Sequence, residues 1–258
     1  MWRTAEQFSG PKLKRLAFFL GVIAALGLFG FIAVRVLIGG SSTSWHQRLT
    51  VIVDNPNGEV RGASVIEITK TETMGPLVPM EARGVHGEVR GEAVAVEVLP
   101  GRWLFALLSD DGAHSKGEAG QLVYSAFRLG MDGDVSERTY ENSMADLWAE
   151  PLDTPAPVPP DAYPLLVTFD DISKPETVRE VDPANLAATF GPGLMLRGMT
   201  LDITRDAVTA GRIEGVLWWW CQRRRNASLD DDPKYFGLNA LFRNVNPSNF
   251  RVGECTCR

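Results

Sequence analysis

Residues 49–69 read LTVIVDNPNGEVRGASVIEIT, and the reading of this stretch decides the fold. Leu49, Val51 and Val53 recur at the two-residue period of a strand. Asp54-Asn55-Pro56-Asn57-Gly58 is dense turn chemistry, because each of these residues favours a bend for its own local reason. Residues 61–69, RGASVIEIT, then resume as a strand, so 49–69 is a predicted β-hairpin.

Working toward the C-terminus, residues 74–83 are irregular, punctuated by Pro76 and Pro79. Gly58-Glu59-Val60-Arg61-Gly62 is echoed by Gly87-Glu88-Val89-Arg90-Gly91, each copy leading into an apolar run; two copies mark turns feeding strands rather than a solenoid. Residues 92–98 and 103–108 bracket Pro100-Gly101 as a second hairpin, and 121–129, QLVYSAFRL, read as a further strand. Met144, Leu147 and Trp148 suggest a helical turn in an acidic stretch. PLDTPAPVPP at 151–160 is extended and semi-rigid, the best boundary candidate. Beyond it, 163–169 is a short buried strand, and Asp182-Pro183 is an N-cap with proline at the first helical position, leading into helix 185–190. Gly191-Pro192-Gly193 stops that helix. Residues 194–203 form a strand with a bulge at Gly198. Ile213, Val216, Leu217 and Trp220 place 211–224 on a helix, and Asp232-Pro233 starts another before 235–242.

Upstream, residues 16–34, LAFFLGVIAALGLFGFIAV, carry no charge over nineteen positions. As a helix this run spans roughly 28 Å, the thickness of a bilayer's hydrocarbon core. Arg3, Lys12, Lys14 and Arg15 precede it against Glu6 alone, which orients the N-terminus to the cytoplasm. A cleaved signal peptide ending near Gly39-Gly40-Ser41 is the rival reading, but its apolar region would be shorter. The expected architecture is therefore α+β: a cytoplasmic segment 1–15, a transmembrane helix 16–38, a strand-rich extracytoplasmic part 45–150, a Pro-rich connection 151–162 and an α+β part 163–258. The last part stands alone or forms one domain with 45–150.

The chain carries −6; residues 1–40 contribute +4, which leaves −10 for the rest. So acidic a surface argues against nucleic acid as a partner. Three cysteines occur, Cys221, Cys255 and Cys257, and in an oxidising compartment Cys221 would bridge to Cys255 or to Cys257.

The motifs that carry chemistry are few. Asp170 and Asp171 follow a strand with Asp182 nearby; such carboxylates could hold a divalent cation or exchange protons, or simply begin a turn. Asp132-Gly133-Asp134 with Glu137 lacks the ligand spacing of a calcium loop, and Asp230-Asp231-Asp232 reads as a solvated helix start. His46, His86 and His114 stand apart from one another and from the cysteines, so no cofactor or metal is expected. Trp218-Trp219-Trp220 with Arg223, Arg224 and Arg225 is a partner or membrane contact, or else a core helix with a basic C-terminal turn. Three consecutive indoles cannot all face one core, so at least one is semi-exposed. Ala17, Gly21 and Ala25 form a small-residue stripe that would let two spanning helices pair as a homodimer.

The segment YPLLVTFDDISKPETVREVDPANLAATFGPGLMLRGMTLDIT, with its Thr168-Phe169-Asp170-Asp171 and its Val181-Asp182-Pro183-Asn185-Leu186 run, resembles a family of uncharacterised single-span envelope proteins of Gram-negative bacteria. The resemblance extends to the hairpin at 49–69 and the GEAVAVEV strand, and covers about half the chain. It implies an envelope location and supplies no chemistry. WWWCQRRR and the Cys-x-Cys end depart from the pattern.

The expected protein is a membrane-anchored periplasmic binding or scaffolding module for an envelope partner, at the inner membrane and without enzymatic activity. The alternatives are a metal-assisted envelope hydrolase using Asp170 and Asp171, and a dimeric membrane-tethered sensor. A reporter active only in the periplasm, fused after Ser44 or Arg258, is expected to give signal. A cytoplasmic readout would overturn the orientation.

Overall fold

The computed structural model describes residues 42–73, 78–109, 117–127, 155–221 and 247–252, together with 18, 20–24, 27 and 30. The chain divides into two compact units, Met1–Thr43 with Lys70–His86, and Ser44–Thr69 with Gly87–Arg258. In the first, residues 18, 20–24, 27 and 30 are helical, and Phe18 (68 %) and Ile23 (65 %) are exposed. The rest of the expected 16–38 span, and residues 1–15, lie outside the described residues. Among the described residues no helix is long and apolar enough to cross a membrane.

In chain order the elements are β1 Ser42–Asn55, β2 Gly58–Thr73, β3 Gly84–Glu92, β4 Val94–Leu99, β5 Arg102–Ala106, α1 Leu122–Ala126, β6 Ala156–Pro157, β7 Leu166–Phe169, β8 Val178–Glu180, α2 Leu186–Phe190, β9 Met195–Thr204, α3 Arg212–Val216, α4 Pro247–Phe250 and β10 Arg251–Val252. A six-stranded sheet runs β10-β3-β2-β1-β9-β6, and a four-stranded sheet runs β4-β5-β7-β8. The fold is mixed and strand-rich with short helices, an α+β architecture.

Both expected hairpins form. Asn55 accepts the Asn57 amide on its side chain (2.8 Å) to shape the β1–β2 turn. Gly101, at φ 71°, turns β4 into β5 and donates its amide to Glu97 Oε1 at 2.7 Å. In β9 the register against β1 slips between Ile52 and Val53, which face Gly198 and Leu196, leaving Arg197 as the bulged residue.

The main core lies between the sheets. Leu49, Val51 and Val53 of β1, Ile66 and Ile68 of β2, and Met199, Leu201 and Ile203 of β9 meet Val94, Val96, Leu104 and Leu166 from the smaller sheet. Alternate residues of that sheet, Ala95, Phe105 and Val167, point the other way, into a second cluster with Ile213, Leu217, Trp220 and Phe250. Burial on both faces explains why β4, β5 and β7 read as nearly unbroken apolar runs. The buried amide of Gln47 is satisfied: it accepts from Trp45 Nε1 (3.0 Å) and donates to the Ala119 carbonyl (2.7 Å).

Four expectations are corrected. Residues 122–126 of the expected 121–129 strand are helical (α1), and five apolar residues are too few for periodicity to separate the two. Asn185, not Asp182, caps α2, its side chain accepting the Ala188 amide at 3.2 Å, while Asp182 bonds Ala184 in the preceding turn. The expected 211–224 helix is interrupted: α3 ends at Leu217, residues 218 and 219 form a turn, residues 220 and 221 are helical again, and 222–224 lie outside the described residues. The Pro-rich 151–162 is no boundary where it is described: Ala156 and Pro157 pair with Leu201 and Thr200 at the sheet edge, where a missing N–H is tolerated. Because β9 also pairs β1 and β7 pairs β5, the expected parts 45–150 and 163–258 share both sheets, while Lys70–His86 is grouped with the first unit.

Gly62, the last residue of the first echo, faces β4 closely. A Cβ there would lie 2.6 Å from Val96 Cγ2 and 2.7 Å from the Ala95 carbonyl oxygen. Gly62→Ala is expected to cost about 1–3 kcal/mol in thermal or denaturant unfolding of the full chain. Gly215→Ala, in open space on α3, should be neutral or stabilising by up to about 1 kcal/mol.

Candidate functional site

Trp218, Trp219 and Trp220 follow α3 and divide between solvent and core. Trp218 is 64 % exposed, whereas Trp219 and Trp220 are 7 % and 0 % exposed. Trp219 donates its indole N–H to the Ile172 carbonyl at 2.8 Å, and its ring meets Phe169 edge-on, with centroids 5.7 Å apart. The Arg251 guanidinium stands 5.9 Å from the Trp220 ring centroid. Partner or membrane contact is therefore corrected for Trp219 and Trp220, whose indoles fill the second cluster; Trp218 alone of the three faces outward. Arg223, Arg224 and Arg225 lie outside the described residues.

These tryptophans rest beside a buried ion cluster. Glu92, fully buried at the end of β3, accepts the Gly211 amide on Oε1 (2.5 Å). Its Oε2 accepts the amides of Arg212 (3.0 Å) and Ile213 (3.2 Å). The carboxylate thus takes up the orphan donors that open α3. Arg251 of β10 lies with its Nε 3.5 Å from Glu92 Oε1 and pairs through Nη1 with Glu214 of α3. Removing one member of such a cluster leaves a buried charge unmatched, at a cost of about 3–5 kcal/mol. No sequence signal marked it. Glu92 is only the first residue of the expected 92–98 strand, and Arg251 sits in a tail that looks like a loop.

Asp170 and Asp171 belong to the connection between β7 and β8. Asp170 Oδ1 pairs with Arg179 Nε at 2.8 Å. Asp171 accepts the Ser173 hydroxyl (2.6 Å) and amide (3.0 Å) on Oδ1, and Lys174 Nζ lies 3.1 Å from Oδ2. Both carboxylates shape a turn. Among the described residues no three His, Cys, Asp or Glu side chains gather where a metal ion could be held. His46 bonds the Asp206 carbonyl oxygen through Nδ1 (2.6 Å) and lies 3.9 Å from Glu67. His114, Asp132, Asp134, Glu137 and Asp230–Asp232 lie outside the described residues.

Cys221 is buried and disulfide-bonded; Cys255 and Cys257 lie outside the described residues. Of the small-residue stripe, Ala17 and Ala25 lie outside them too, while Gly21 is helical and a Cβ there would meet nothing within 4 Å.

Comparisons with models of known protein families, with curated proteins and with solved structures find no match, and the chain is assigned to no family.

Bonding from Ser173, helped by Lys174, holds the Asp171 carboxyl below its ordinary range. A lowered folded value favours the fold above the unfolded value of 3.8, and this support is lost as pH falls through the lowered value. The stability gap between the natural chain and Asp171→Asn should therefore be widest near neutral pH and close at strongly acid pH. Denaturation of both chains across that range checks it, and a gap that widens toward acid would contradict it.

Proposed function

We propose that this chain is a membrane-anchored binding module of the bacterial envelope, non-enzymatic, holding a protein partner through a surface centred on Trp218. The N-terminus lies in the cytoplasm, residues 16–38 span the inner membrane, and the strand-rich unit stands in the periplasm. The observation that carries the reading is the division of the tryptophans. Two indoles fixed in a core brace the segment that carries the third, so little backbone order has to be gained when a partner covers it. Tryptophan is also among the residues that most often anchor interfaces. The uncharged run at 16–34, the exposed Phe18 and Ile23, and a disulfide-bonded Cys221 support the membrane and periplasmic assignments.

A photo-crosslinking residue at position 218 of the full chain in native membranes should give a discrete adduct, and one at exposed Met195 should not. Trp218→Ala should weaken association with the captured protein by about 2 kcal/mol or more while leaving the unfolding midpoint nearly unchanged. Equal adducts at both positions, or none at 218, would sink the proposal.

A further inference from the structure

The C-terminal residues 247–252 close over the second cluster as a strap. The Ala93 amide donates to the Phe250 carbonyl oxygen (2.7 Å) and the Leu108 amide to that of Asn249 (2.8 Å). Arg251 and Val252 pair with Glu92 and Gly91. The same strap reaches the tryptophan segment twice. Phe250 lies 6.0 Å from Phe169, whose ring also meets Trp219 at 5.7 Å, and Arg251 stands over Trp220 while pairing with Glu214 of α3.

We infer that the strap is a conformational device governing the presentation of Trp218, a regulation that rests on the partner-binding reading above. Docked, it clamps Trp219 and Trp220 and so fixes the backbone that carries Trp218. Released, it takes away the Arg251 cation from Trp220 and the Phe250 ring from Phe169, and the surface around Trp218 loses its support. Two features make the change all-or-none. The strap's ladder is only two residues long, with two further main-chain bonds from Ala93 and Leu108, so side chains carry much of its docking. Those side chains insert a charge between two carboxylates that cannot stay buried without it. Charge and shape together make docking selective for arginine, because an ammonium lacks the fork that spans both partners.

Hydrogen exchange on the full chain, with its disulfide intact, tests the linkage. In Arg251→Ala the amides of Ala93 and Leu108 should exchange on the order of 100-fold faster, and the Trp219 indole N–H should accelerate with them. The Val158 amide, bonded to Met199 at the far edge of the large sheet, should not change. Arg251→Lys, which keeps the charge and serves if the alanine variant does not fold, should show a smaller acceleration at the same three groups. Acceleration of Ala93 and Leu108 without Trp219, or no acceleration at all, would overturn the inference. Absence of an adduct at 218 in the natural chain is a separate result: it removes the partner reading and leaves the exchange linkage to be judged alone.

Discussion

A carboxylate wholly withdrawn from water is tolerable only if other groups replace its hydration, and Glu92 sets that condition for the outer layer of the protein. Three amides opening α3 converge on it from one side, and the Arg251 side chain approaches from another. Residues 119 and more positions away in sequence are thereby fixed to the end of β3. Apolar packing fills the space around this point but does not choose the register. A ring can slide by a few tenths of an ångström at little cost, whereas a buried charge cannot leave its partners.

The smaller sheet transmits the condition inward. Its strands are covered on both faces, by the large sheet on one side and by α3, the tryptophan segment and Phe250 on the other. Phe105 sits at the centre of the second face, edge-on to both Phe169 and Phe250. The exposed Trp218 thus adjoins a packed series of rings.

Much of this architecture was legible from residue pattern alone, and the boundary of legibility is physical. The hairpins at 49–69 and 92–108 announced themselves because turn residues and a two-residue period agree locally. The bulge, which falls at Arg197 beside the expected Gly198, appeared as a break in that period. Short apolar runs were the weak point: residues 122–126 satisfy a strand and a helix equally, and tertiary packing decided for α1. Asp182-Pro183 looked like a cap, yet the helix begins three residues later because Asn185 offers its side chain to the Ala188 amide. The ion cluster was wholly hidden. Its members are scattered from position 92 to 251, each plausible as a surface residue, and only the topology that lays β10 beside β3 makes them one group.

Both margins of the six-stranded sheet end in strands of two residues, β6 on one side and β10 on the other. Pro157 has no N–H to offer a newcomer, and beyond β10 the margin of β3 carries the exposed charges of Glu88 and Arg90. An unguarded sheet margin is a template on which other chains can polymerise. The C-terminal strand therefore also shields the protein from its own kind. A chain cut short before residue 247 would bare the edge of β3 beside the space that Phe250 fills, and so offer a seed for aggregation.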